Sequence, residues 1–402
     1  MTKPLAGIRV LDLSRVLAGP WATQLLADLG AEVIKVEKPG AGDDTRHWGP
    51  PWHEHGEEKV AAYYLAANRG KRSVAIDFAT EDGAALVRKM AADADVVVEN
   101  FKVGGLTKFG LDAASLRAAH PRLVYASITG FGQDGPYAVR AGYDYIIQGM
   151  GGLMSLTGLP DGEPGGGPMR VGVAVADLFT GLYTSNAILA ALYRRETTGE
   201  GATIDMALFD TQLAMLANQA TNALVSGRDP ARQGAGHPNI VPYQPFMASD
   251  QPVIVAVGND GQFRKFATML RHPEWADDER FSTNAARVAE RATLVPVIER
   301  IFATRRADEW LPLLEAAGIP AGPINTISQA LADPQAQYRG ARIDRDGGAL
   351  GKVPLVGSPV RIDGERQDAP LPPPALGEHG DLLSKYCDKK ELRRLRAAGV
   401  VG

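Results

Sequence analysis

The segment "IRVLDLSRVLAGPWATQLLADLGAEVIKVE", residues 8–37, reads as a strand, a helix and a second strand. IRVLDL and EVIKVE are short runs rich in Val, Ile and Leu, and the text between them has helical character from about Gly19 to Leu29. The alternation continues through SVAIDF, a helix from about Glu81 to Ala92, DVVVENF and LVYASITGF. This pattern predicts a parallel sheet with helices on both faces over the first 130 residues. Ligands of such sheets gather at the carboxyl ends of the strands. Here those ends are Ser14 to Ala18, Glu37 to Pro39, Asn100 to Lys102 and Gly130 to Gly132, so four loops are expected to converge on one crevice.

A dinucleotide would need G-x-G-x-x-G after the first strand, and DLSRVLAGPWATQLLADLG lacks it. Basic residues do stand at the strand ends: Arg15, Lys38, Lys102 and Lys108. Each alone is ordinarily a solvated charge. Gathered in a crevice beside the backbone amides of Leu17, Ala18 and Gly19, where a helix opens, they would suit a phosphate-bearing ligand.

A second stretch, "VGVAVADLFTGLYTSNAILAALYRR", residues 171–195, places Asp177 between small apolar residues and a long apolar run. Two roles fit it. Asp at a strand-to-helix junction can cap the helix by accepting from its first backbone N–H groups. A carboxylate held among Val, Ala, Leu and Phe is also poorly hydrated, and so a better nucleophile than one in water.

The chain has 402 residues, of which 45% are hydrophobic and 22% charged, enough for two domains. A formal net charge of −4 gives no electrostatic footprint for nucleic acid. The single cysteine, Cys387, cannot form an internal disulfide, and MTKPLAGIRVLDLS has no secretory apolar core, so a cytoplasmic location is expected. No apolar run reaches the roughly 18 residues of a membrane span. No metal is expected: the seven histidines are scattered, and His53 and His55 would face opposite sides of a strand. G-x-S-x-G is absent, and Ser127 has nothing beside it to activate it.

The expected architecture is a large Rossmann-like domain over 1–200, completed by 355–402, with helices over 177–195 and 205–226. Residues 201–225 are expected to be a linker helix, 226–330 a smaller α/β domain and 331–354 a return linker. GLPDGEPGGGP, within the glycine-rich 132–172 region, reads as a mobile surface loop.

The opening, continued through GAEVIKVEKPGAGDDTRHW, resembles the N-terminal signature of the class III CoA-transferases, the formyl-CoA and carnitine CoA-transferase family. NRGKRSVAIDF, DVVVENFKVGGLTKFGLD, LVYASITGFGQDGPYAVRAGYDYIIQGMGGLMSLTG, VADLFTGLYTSNAILAAL and GIPAGPINTISQAL follow in the family's order. The resemblance implies that Asp177, the Asp of VADLFTG, is a covalent nucleophile. It further implies that Arg15, Val16, Leu17, Ala18, Lys38 and Ile76 contact CoA, together with Asn100, Phe101, Lys108 and Arg140. Tyr143 and Asp144 would line the acyl end. Acyl-CoA would be a substrate, with no permanently bound cofactor, and the assembly would be a homodimer of two interlocked rings.

Two departures bear on the substrate. Formyl-CoA transferase carries Gln where this chain has Leu17, and VPYQPF stands where that enzyme has a glycine run, which disfavours oxalate and formyl-CoA. AGHPNIVPYQPF and LPPPALGEHGDLL resemble the branch that includes succinate–hydroxymethylglutarate CoA-transferase, which implies dicarboxylic acids, with Arg46 as a candidate for the distal carboxylate. The alternative of the same fold is an alpha-methylacyl-CoA racemase or epimerase. Those enzymes carry a His base where this chain has Tyr143, and a phenol is a poor base near neutral pH. A non-catalytic CoA-binding scaffold is a third possibility.

Overall fold

In the computed structural model, which describes residues 3–402, the apolar runs become β1 (Arg9–Asp12), β2 (Glu32–Glu37), β3 (Lys71–Ala75), β4 (Val96–Glu99) and β5 (Val124–Thr129). A sixth strand, β6 (Ala202–Ala207), completes the sheet, whose order is β3-β2-β1-β4-β5-β6 with every neighbouring pair parallel. The order reverses direction between β1 and β4, and the crevice beyond their carboxyl ends is where doubly wound sheets bind ligands.

Side chains alternate across the sheet with period two, so each strand feeds two cores. Val10, Val33, Val96 and Val98 enter the core covered by α1 (Ala18–Asp28) and α5 (Val175–Thr198). Leu11, Ile34, Val74 and Val97 enter the opposite one, covered by α2 (Glu81–Ala92) and the C-terminal helix Lys389–Ala397. Both faces being buried, the strands read as near-continuous apolar runs. α2 begins where Thr80 Oγ1 accepts from Gly83 N at 3.1 Å, with Glu81 and Asp82 in the first turn favoured by the helix dipole. Three further helices are α3 (Ala113–Ala119), α4 (Asp144–Met150) and α6 (Leu208–Met215).

The chain divides into two units, with boundaries that differ from those expected. The first comprises residues up to Leu153, Val171–Leu224 and Pro334–Gly402. Residues 201–225 are therefore no linker helix: β6 pairs with β5 from Val124↔Ala202 to Thr129↔Ala207, and α6 follows it directly. Much of the expected return linker is likewise structured. Strands Arg342–Arg345 and Val353–Val356 form a hairpin, and Val353 and Leu355 pack on Val60, Tyr64 and Leu65.

The second unit comprises Met154–Arg170 and Val225–Asp333. Its three-stranded antiparallel sheet has Pro252–Ala256 between Tyr243–Met247 and Ala321–Pro323. Phe302 stacks on Phe246 and Trp310, with ring centroids 5.1 and 4.7 Å away, inside a core that also holds Phe263, Phe266 and Ile298. The glycine-rich segment belongs here and is tethered. Arg232 donates to the carbonyls of Leu159 (3.3 Å) and Ser155 (3.1 Å) and pairs with the Asp161 carboxylate.

Candidate active site

A cavity of about 440 Å³ opens at the reversal of strand order. Its wall is built from the loop after β1 (Arg15, Val16, Leu17, Ala18), the loop after β4 (Asn100, Phe101) and the end of β5 (Ile128, Thr129). Arg140, Tyr143 and Asp144 close another side, and Asp177 faces the same space. A second cavity of about 330 Å³ lies beside it, lined by Lys38, Ile76, Asp77 and Phe78. Arg15, Asp44 and Phe101 line both.

Asn100 ties the two strand-end loops together: its Oδ1 accepts from Arg15 N at 2.8 Å and its Nδ2 donates to Arg15 O at 2.6 Å. The Arg15 guanidinium reaches Asp44 at 3.1 Å and lies 5.2 Å from the Phe101 ring centroid. That ion pair is half exposed, so water screens it and an incoming anion can replace Asp44 at small cost. Two glycines make the opposite wall thin. A Cβ on Gly130 would stand 2.5 Å from Gly142 Cα, so only glycine lets the loop before Tyr143 approach the end of β5 this closely.

Asp177 lies in the first turn of α5, but it is not the cap. The residue preceding the helix, Ala174, offers no side-chain acceptor. Asp144, on α4, takes the role across space: its Oδ1 accepts from Ala176 N at 2.8 Å and from Asp177 N at 3.3 Å. The other oxygen, Oδ2, accepts from Gln148 Nε2 at 2.7 Å, and Gln148 Oε1 accepts from Val171 N at 3.0 Å. With the backbone satisfied by Asp144, the Asp177 carboxylate is left facing the cavity, and no donor among the described residues reaches it. Burial pushes its pKa up to about 7, and the negative charge of Asp144 adds to the effect. Tyr63 senses the same charges: burial first, then Asp177 and Asp144, raise its phenol to about 12.

α5 is brought to this position by close packing. Gly181, one turn beyond Asp177, has no room for a side chain, since a Cβ would lie 2.8 Å from Ala18 O. The first turn of α1 and the Asp177 turn of α5 thereby share one corner of the cavity.

Of the residues singled out from sequence, Asp177, Arg15, Val16, Leu17, Ala18, Asn100, Phe101, Arg140, Tyr143 and Asp144 meet at the first cavity, and Lys38 and Ile76 at the second. Lys108 lines neither; its Nζ lies 4.7 Å from the Phe109 ring centroid. Arg46 is a correction. The residue is 6% exposed, and its guanidinium donates to Glu37 at 2.9 and 2.7 Å and to Tyr64 Oη at 2.6 Å and stacks 3.8 Å from the Tyr64 ring centroid. Paired with the buried Glu37 carboxylate and lining neither cavity, this guanidinium is not placed to meet a substrate carboxylate. Tyr63 and the buried pair Lys35–Asp43 were not singled out, though Lys35, a charge inside the apolar run EVIKVE, is a visible signal. Among the described residues no three His, Cys, Asp or Glu side chains gather as a metal site.

The model of CoA-transferase family III matches residues 5–380. The chain is 53% identical over 378 residues to a succinate–glutarate CoA-transferase of Agrobacterium fabrum, covering 94% of each chain. It is 41% identical to the human succinyl-CoA:glutarate CoA-transferase, covering 99% of this chain and 90% of that one. The crystal structure of a CAIB/BAIF family protein from Brucella suis superposes with a TM-score of 0.84 at 52% identity, covering 98% of this chain and all of the other.

Proposed function

The chain belongs to CoA-transferase family III and is a CoA-transferase, and on that premise we propose that it moves CoA from succinyl-CoA to glutarate or a related dicarboxylate, with Asp177 as the covalent carrier. The observation that carries the mechanistic part is the Asp177 carboxylate, released from capping by Asp144 and facing a cavity at the reversal of strand order.

Exchange of a thioester between two carboxylic acids is nearly isoenergetic, so one carboxylate that holds the acyl group and then CoA suffices. An Asp177 oxygen attacks the donor thioester carbonyl; the C–S bond breaks, giving a mixed anhydride and CoA thiolate. The thiolate attacks the aspartyl carbonyl, forming an aspartyl-CoA thioester and releasing the donor acid. The acceptor carboxylate then attacks that thioester, giving a new anhydride and thiolate. Attack of the thiolate on the acceptor carbonyl yields the product thioester and restores Asp177. Each step conserves charge and needs no oxidant or ATP.

In this reading the pantetheine arm follows the first cavity, and the nucleotide end lies in the second against Lys38 and Ile76, with Arg15 at the junction. Lys108 would meet phosphate only from beside Phe109. The racemase alternative lacks the His base, and the relatives described above are named as transferases. The working unit proposed is a cytoplasmic homodimer, interlocked as the family resemblance implies. Support for dimerisation is the exposed apolar stripe on α5 formed by Phe179, Leu182, Tyr183 and Tyr193.

The test is chromatographic: purified protein with succinyl-CoA and a panel of short mono- and dicarboxylates, followed for new acyl-CoA thioesters. Glutaryl-CoA or a close dicarboxylyl homologue should form fastest. Preferred use of monocarboxylates would overturn the substrate assignment.

A further inference from the structure

Four described non-glycine residues adopt a positive φ, and Val16, at +71°, is the only β-branched one. A branched Cβ makes left-handed backbone costly, so something must hold Val16 there. It lies between Arg15 and Leu17 in the wall of the first cavity.

We propose that the buried Lys35–Asp43 pair is a positioning device that holds Val16 in this conformation and so presents Arg15 and Leu17 to acyl-CoA. The proposal rests on the acyl-CoA reading given above. Both side chains are fully buried and their charged atoms are 2.9 Å apart. The Asp43 oxygens accept from Val16 N at 3.2 and 3.3 Å, while Lys35 Nζ donates to Ser14 O at 2.8 Å. The pair therefore grips the loop on both sides of Arg15, whose own peptide groups are held by Asn100.

Asp43 acts on the other side as well. It caps the short turn Asp44–His47 by accepting from Thr45 N (3.0 Å) and Thr45 Oγ1 (2.8 Å), and that turn carries Asp44, the partner of Arg15. Glu37 holds the backbone of Asp43 through its N–H at 2.9 Å. One charge pair, standing in the wall of the second cavity and not of the first, thus sets the loop conformation and the position of the Arg15 counterion, and the glycine rescue below separates this positioning from any direct contact with the nucleotide. Excluded from water, the pair is weakly screened by salt.

The experiment compares CoA binding by calorimetry and succinyl-CoA KM in the intact protein, in Asp43→Ala and in Lys35→Met/Asp43→Leu, which leaves no orphaned buried charge if the single variant folds poorly. Melting curves check folding in each. Binding should weaken by about tenfold or more, as expected when a strained loop is released. Adding Val16→Gly to either background should recover several-fold of the lost affinity, because glycine adopts positive φ freely, whereas Val16→Ala should not. Equal behaviour of the glycine and alanine variants, or unchanged affinity on removing the pair, would overturn the positioning role while leaving the functional reading intact. Failure of the unaltered protein to bind CoA would overturn both.

Discussion

Asp177 and Asp144 divide between them the two tasks that a single aspartate at this junction could serve. Asp144 satisfies the helix N–H groups, so both Asp177 oxygens stay free of capping, as the proposed nucleophile requires. Because the folded pKa of Asp177, about 7, lies above the unfolded value near 3.9, the folded protein binds the extra proton between roughly pH 4 and pH 7, and stability falls as pH rises through that window. Asp177→Asn should accordingly raise stability at pH 8 by about 1–4 kcal/mol and have little effect at pH 4, as read by denaturant melts. As the proposed nucleophile the same carboxylate would have to be ionised, so the proposal predicts that kcat/KM for succinyl-CoA rises with pH through an apparent pKa near 7. Asp144→Asn removes a neighbouring negative charge and should move that limb to lower pH, with a lower kcat from the weakened cap. Asp177 stands out in the sequence because a charge interrupts an apolar run, but that pattern left cap and nucleophile both open, and the cap, Asp144, comes from a helix 33 residues earlier in the chain. Arg46 was misread as a substrate ligand because its partners Glu37 and Tyr64 come from a strand and a helical turn whose convergence no local pattern announces. Arg46→Met should lower the melting temperature, since it orphans Glu37 at a cost of about 3–5 kcal/mol, without a selective rise in acceptor KM.

At the scale of elements, the site depends on how tightly α5 seats against α1. Gly181→Ala would press a methyl group to within 2.8 Å of Ala18 O and displace the turn that carries Asp177. We expect a loss of about 1–3 kcal/mol by thermal or denaturant melt, together with a fall in kcat larger than any change in KM for acyl-CoA. Strands β1 to β5 were legible because their faces are buried, the edge strand β3 included, which leaves Val, Ile and Leu runs. β6 was not: as an edge strand its residues alternate between half-buried and exposed, and ATIDMA runs straight into the helix-forming LFDTQLAM. The contacts that Arg232 makes to the glycine-rich loop were not legible, since Arg232 lies some seventy residues further along the chain.

For the whole molecule, strand order is what turns scattered residues into one site. The reversal between β1 and β4 gathers Arg15, Asn100 and Asp177, far apart in sequence, around a single cavity. α5 is the one described helix long and apolar enough to cross a membrane, yet its buried side packs on the sheet and on α1. Its exposed stripe should instead meet a second chain: sedimentation should give twice the single-chain mass, and Leu182→Asp should lower it, whereas a fully active monomer would contradict the dimer. The most direct test of the central claim is intact-mass spectrometry after brief mixing with succinyl-CoA and no acceptor. A mass gain equal to CoA less one water, mapped to Asp177 and missing in Asp177→Ala, is the predicted result. An unmodified chain that still transfers CoA, or an Asp177→Ala variant with undiminished turnover, would contradict it.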